Sequence, residues 1–167
     1  MEYIIRKMKK SDCSFVTHVI TVAWNETYRG IVSDKILDNM YLNEDERTNK
    51  AYNRFNEKDN HQFVLEVNKM IVGYMNVGPT DDAEYNNCGE VHAIYIINNY
   101  KGKGYGRRMI EVGIAELKKM GFDKMIIGCL VNNSSNEFYK HIGGIYIKQR
   151  MFKKLGLLEN VYYFENI

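Results

Sequence analysis

Along this chain the spacing of apolar residues predicts alternating strands and helices. EYIIRKM at the start, HQFVLEV (61–67), MIVGYMNVG (70–78) and GEVHAIYII, ending at Asn98-Asn99, carry the short alternating or continuous apolar runs of strands. Asn68-Lys69, between the second and third, predicts a tight hairpin turn. From Ser11 to about Tyr28 the apolar positions Phe15, Val16, Val19, Ile20 and Ala23 follow helical spacing, and Gly30 stands where a helix ends. Residues 33–58 are polar and helix-compatible, with Ile36, Leu37, Met40 and Tyr41 on one face. A second amphipathic helix is predicted over 104–120 through Ile110, Gly113, Ile114, Leu117 and Met120, stopping near Gly121. KMIIGCLV (124–131) predicts a buried strand. Ser134 with Glu137 predicts a capping box for a short helix ending near Gly143, and strands at about 145–152 and 161–166 close the chain. The order β-α-α-β-β-β-α-β-α-β-β describes an α/β (α+β) fold. Its mixed sheet is antiparallel at the start, with parallel crossovers further on and helices flanking it.

Composition narrows the class. The 167 residues suit a single domain spanning 1–167, and 45% hydrophobic with 26% charged residues is globular rather than disordered. A net charge of +2 excludes a general polyanion binder, so any attraction for phosphate has to be local. Cys13, Cys88 and Cys129 lack CxxC or Cys/His ligand spacing, which predicts free thiols, no metal site and a reducing, cytoplasmic setting. MEYIIRKMKK has no apolar stretch of signal-peptide length, and the longest apolar runs, IYII and MIIGCLV, are too short to span a bilayer.

The stretch YKGKGYGRRM (100–109) departs most from an ordinary surface. Gly102, Gly104 and Gly106 alternate with larger residues, and Lys101, Lys103, Arg107 and Arg108 surround them. The stretch joins a predicted strand to a predicted helix, so its backbone N–H groups lie at a helix N-terminus, where they lack intrahelical acceptors and the dipole favours an anion. Neither the P-loop pattern nor the dinucleotide GxGxxG is present, since the third position of the latter falls on Arg107. What does occur is Lys101-x-x-Gly104-x-Gly106, and separately VNNSSNEFYKHIGG (131–144), with Asn132, Ser135, Phe138-Tyr139 and Gly143. Together these resemble two segments of the GNAT superfamily of N-acetyltransferases: the pyrophosphate-binding signature, and the later Asn…Phe-Tyr…Gly segment. AWNETYRGIVSD near the N-terminus extends the resemblance across the chain. Lys101 stands where the family usually has Arg or Gln, Asn98 where it often has proline, and Gly144 where an aromatic is common.

The resemblance implies acetyl-CoA as cosubstrate, lying where strands 90–97 and 124–131 splay. Main-chain groups of Ile94, Tyr95 and Ile96 would meet the pantetheine and acetyl carbonyl, and Asn132 the cofactor arm. Lys101, Gly102, Lys103, Gly104, Tyr105, Gly106 and Arg107 would hold the phosphates. It further implies direct attack by an amine on the thioester, with Tyr139 protonating the departing thiolate and Glu90 or His92 as general base. Glu90 and His92, two apart on a strand, share a face. Cys88 and Cys129 have no neighbouring base in sequence, so an acyl-cysteine route is not expected.

The acceptor is expected to be a primary amine of a small molecule or peptide, with no nucleic-acid or membrane partner, and homodimers are common in the family. Trp24, Tyr28 and Arg29 are candidates for the acceptor pocket. Asp81, Asp82, Glu84 and Glu90, with no intervening Lys or Arg, raise a choice between an acidic half-site for a cationic acceptor and a merely acidic loop. Two other classes remain: a non-catalytic acetyl-CoA-binding sensor or scaffold, and a nucleotide-binding or RNA-modifying domain using the basic loop.

Overall fold

The computed structural model describes residues 2–167. β1 (Tyr3–Lys7) is followed by α1 (Cys13–Tyr28), α2 (Asp34–Leu42) and α3 (Glu44–Arg54). Then come β2 (Gln62–Val67), β3 (Met70–Pro79), β4 (Gly89–Ile96), α4 (Tyr105–Lys119), β5 (Met125–Leu130), α5 (Ser135–His141), β6 (Ile145–Phe152) and β7 (Leu157–Phe164). The strands form one seven-stranded sheet in the order β1-β2-β3-β4-β5-β7-β6. β4 and β5 run parallel, with Gly89 opposite Met125, while β1–β2, β2–β3, β5–β7 and β6–β7 are antiparallel. Among the described residues, no helix is long and apolar enough to cross a membrane.

Two expectations are corrected. The polar stretch 33–58 holds two helices, because the backbone leaves helical geometry at Asn43 (φ −105°, ψ 18°), and three acidic residues, Glu44, Asp45 and Glu46, begin α3 where its dipole favours them. The last strand begins at Leu157 rather than about 161, since the polar Glu159 and Asn160 pair across to Arg150 and Gln149. The hairpin at Asn68-Lys69 forms with both residues at positive φ (49° and 66°), the twist that suits a two-residue turn.

The chain forms two compact units. One comprises the residues up to Asn76 together with Ala93–Ile110. Its core gathers Met8, Cys13, Val16, Val19, Val64 and Tyr74, with Tyr95 and Ile97 packed against them. Phe15, expected on the apolar face of α1, is instead 60% exposed. The other unit comprises Val77–His92 and Glu111–Ile167, with Cys88, Ile126 and Val161 at its centre. There Gly89 admits β4 against α4: a Cβ would lie 2.6 Å from Leu117 Cδ2, and Leu117 is fully buried.

Candidate active site

In the first unit, the glycine loop runs between β4 and α4. Gly102 (φ +72°) and Gly104 (φ +82°) hold the left-handed conformation that favours glycine, and a Cβ at either would meet nothing within 4 Å. The loop is therefore an exposed backbone surface, and packing does not explain its glycines. Arg108 N–H donates to the Gly104 carbonyl, the opening bond of the helix. That leaves the N–H groups of Tyr105, Gly106 and Arg107 without intrahelical acceptors. The Tyr105 ring is buried beside Tyr3, so this residue offers the loop its backbone. Lys103 lies 5.3 Å from the Tyr100 ring centroid, and Arg107 is exposed. Lys101 turns to α1, where its ammonium donates to Thr27 Oγ1 at 3.1 Å, and burial lowers its pKa. Glu26, which the sequence reading overlooked, accepts the Asn98 N–H at 2.7 Å and ties the loop's leading edge to the same helix.

The three β4 positions are not equivalent. Ile97 N–H donates to Val72 O of β3, and the Tyr95 carbonyl lies 3.1 Å from where a Gly73 Cβ would be. Backbone groups alternate sides along a strand. Tyr95 and Ile97 thus face β3, whereas the N–H and C=O groups of Ile94 and Ile96 face away from it. This narrows the main-chain groups open to a ligand to those of Ile94 and Ile96. At the end of α1, Arg29 is committed to Asp34 (3.0 Å), Asp38 (2.5 Å) and Asn25 (2.5 Å), and Trp24 packs edge-on to Tyr28 and Tyr95. Arg29 holds the α1–α2 turn.

In the second unit, Glu90 is buried and both its carboxylate oxygens are engaged. Arg150 Nη2 donates to Oε1, and Thr80 Oγ1 donates to Oε2 at 2.5 Å. Arg150 also meets Glu159 at 2.7 Å and Asp82 at 3.5 Å. Lys148 meets Asp82 at 2.9 Å and Glu84 at 2.5 Å. Burial opposes the charge on Arg150, but bonds and charges from Glu90 and Glu159 outweigh it and hold the guanidinium above its ordinary range. Burial likewise pushes the Glu159 carboxyl up, against the pull of Arg150. Three of the four acids in 81–90 are thus neutralised by β6 cations. This is the physical reason the loop does not form a free acidic half-site.

His92 is exposed on the same strand, its Nε2 3.0 Å from the Pro79 carbonyl. Tyr139 is buried on α5, its ring 5.4 Å from Phe138 and 5.9 Å from Tyr162. Asn132 is exposed, and its side chain makes no hydrogen bond among the described residues. The structural work at this turn falls to its neighbours. Asn133 Oδ1 accepts Ser135 N–H in place of the expected Ser134–Glu137 box, and buried Asn136 donates to the Leu130, Val131 and Asn133 carbonyls while accepting from Asn160 and Tyr162. Cys88 and Cys129 are buried, the latter thiol pushed up to about 12 by burial, so neither is poised as a thiolate. Among the described residues, no group of three or more His, Cys, Asp or Glu could hold a metal ion.

Besides Glu26, the residues missed by sequence reasoning are Thr80, Lys148 and Arg150. The register pair Arg150–Glu159 would have been visible had the last strand been extended by four residues.

Comparison with known proteins bears on the family and the fold. The chain is 26% identical over 142 residues, 81% of its length and 76% of the relative's, to the uncharacterized N-acetyltransferase YuaI of Bacillus subtilis (strain 168). Its fold is similar to that of the PaiA N-acetyltransferase from Thermoplasma acidophilum in complex with coenzyme A, with TM-score 0.77, 18% identity and 99% of both chains covered. It is also similar to YncA from Salmonella typhimurium with its cofactor acetyl-CoA, with TM-score 0.70, 20% identity, and 99% of this chain and 94% of that one covered. The family model described as acetyltransferase (GNAT) family matches residues 23–144, which include the glycine loop, β4, β5 and α5. The chain belongs to the acetyltransferase (GNAT) family.

Proposed function

We propose that this protein transfers the acetyl group of acetyl-CoA to a primary amine of a small molecule or peptide, by direct attack of the amine on the thioester. One observation carries the reading: the Gly102–Gly104 loop, left-handed and open, leads into three helix N–H groups without intrahelical acceptors. Such a backbone cradle fits a pyrophosphate, and the exposed Lys103 and Arg107 suit the remaining phosphate charge. Ile94 and Ile96 present main-chain groups for the pantetheine, and Asn132 an uncommitted amide.

The reaction forms a C–N bond and breaks a C–S bond. The amine must lose a proton and the departing thiolate must gain one. An amine of ordinary pKa is neutral in roughly one molecule in a few thousand at pH 7, a handicap of about 4–5 kcal/mol. Glu90 and His92 are the groups assigned to proton removal, and Tyr139 is assigned to protonate the sulfur.

Thermal unfolding with acetyl-CoA, dephospho-CoA and ATP tests the reading. A ligand at about 100 times its Kd adds roughly 2.7 kcal/mol, on the order of several degrees in Tm for a domain of this size. The expected result is a clear rise with acetyl-CoA, a smaller one without the 3′-phosphate, and none with ATP. No rise with acetyl-CoA at millimolar concentration, or a larger one with ATP, overturns it.

A further inference from the structure

We infer that Arg150, Glu90 and Thr80 form a positioning relay that fixes one tautomer of His92, making its Nδ1 the proton acceptor for the amine. The inference rests on the acetyl-transfer reading above, and it divides the roles of the two residues assigned to proton removal there.

The carboxylate is the less suited of the two. Glu90 is buried, one oxygen accepts from Arg150, and the other accepts the Thr80 hydroxyl proton at 2.5 Å. Both carboxylate oxygens are thus already engaged as acceptors, so receiving the amine's proton at either would displace a hydrogen bond the fold has made. His92, two residues along the strand, is exposed and holds a single hydrogen bond, from Nε2 to the Pro79 carbonyl at 3.0 Å.

That bond assigns the proton. A carbonyl oxygen can only accept, so Nε2 carries the hydrogen, and in the neutral ring the lone pair lies on Nδ1. Nδ1 has no partner among the described residues. The ring is thus oriented at one nitrogen and open at the other, as a general base requires.

The carbonyl is itself held in place. It belongs to the peptide between Pro79 and Thr80, and Thr80 is fixed three ways. Its hydroxyl donates to Glu90 (2.5 Å) and accepts Asp82 N–H (3.0 Å), and its N–H donates to the Cys88 carbonyl (3.3 Å). Arg150, braced by Glu159 and Asp82, anchors Glu90 in turn. Gly78 completes the seat: a Cβ there would lie 3.3 Å from His92 Nε2, so a side chain would crowd the ring's bonded edge. Every member of this relay belongs to the second compact unit.

The test uses the full chain with 15N-labelled histidine, the His92 resonances being assigned by comparison with His92→Gln. Long-range 1H–15N spectra recorded at about pH 8.5, where imidazole is neutral, report the tautomer directly. In the wild type His92 is expected as the Nε2–H form alone, with Thr80→Val converting it to a mixture and Thr80→Ser restoring it. A wild-type Nδ1–H form, or an unmixed Nε2–H form in Thr80→Val, overturns the relay. Arg150→Met serves as a second variant, with Thr80→Val available should it fail to fold.

Turnover is read as thiol release from acetyl-CoA with 1,4-diaminobutane and with a lysine-containing peptide. His92→Gln is expected to lower kcat about 10²- to 10⁴-fold with little change in the KM for acetyl-CoA. Thr80→Val is expected to lower kcat about tenfold, as the loss of an orienting partner does. Wild-type kcat in His92→Gln overturns the assignment to His92. The expected tautomers without an acetyl-CoA shift in Tm overturn the acetyl-transfer reading, and with it the role given to the ring.

Discussion

Tyr139 shows most directly how one side chain can be tested apart from its surroundings. Its ring is buried against Phe138 and Tyr162, so removing the whole side chain would confound chemistry with packing. Tyr139→Phe keeps the ring and deletes only the hydroxyl. If that hydroxyl protonates the departing sulfur, kcat should fall about 10²-fold or more while the Tm rise with acetyl-CoA survives. Unchanged kcat would return Tyr139 to the core. The resemblance to the GNAT superfamily singled out Tyr139 and Glu90, and strand alternation added His92, but only the fold separates Glu90, enclosed by Arg150 and Thr80, from His92, which faces solvent. The partners that make this difference come from β6 and the end of β3, some 60 and 10 residues away along the chain.

At the scale of the element, the glycine loop and its helix act together. Gly104→Ala forces a side chain into φ +82°, at a cost of about 1–2 kcal/mol, and adds a methyl to a surface that is otherwise open. The expected outcome is a modest loss of Tm in the apoprotein and a Kd for acetyl-CoA about tenfold or more higher, measured by titration calorimetry. A substitution that lowers Tm and leaves the Kd unchanged would reduce the glycine to a turn residue. The open, left-handed backbone of this loop was legible from sequence because glycine spacing reports it. Element boundaries were legible where apolar period was unambiguous, as in β2, β3 and α4. They were not at Asn43, where a polar helix-compatible run conceals a break, nor at β7, whose inward Glu159 reads as a surface residue until Arg150 is opposite it.

For the molecule as a whole, buried ion pairs set the response to acid. Burial pushes the Asp12 carboxyl up, but bonds from Arg6 (2.7 and 3.2 Å) and Lys9 N–H (2.8 Å) bring it below the ordinary carboxylate range. In Asp82, burial is likewise outweighed by Lys148, the Glu84 N–H and Arg150. A depressed folded pKa contributes stability that is present above the unfolded value, near 3.9, and lost as pH falls through the folded one. Glu159 is raised and works in the opposite sense: its contribution is present below about 4.3 and is lost as pH rises through its folded value. Urea unfolding should therefore find Asp12→Asn less stable than wild type by roughly 1.5–3 kcal/mol at pH 7. The gap should narrow as pH falls below about 4. A gap constant between pH 7 and 3 would show that the Asp12 charge contributes nothing.

The sequence by itself determined where most of the strands and helices lie, the tight turn at Asn68-Lys69, and the open glycine loop at the start of α4. Each is set by local physics: apolar period, permitted φ, and unpaired amides at a helix start. Tertiary structure alone decided which charges are spent and which remain available. The acids between 81 and 90 read as a negative patch, and folding brings Lys148 and Arg150 onto three of them. Ion pairing depends on distance through space, and strand pairing creates distances that spacing along the chain does not contain.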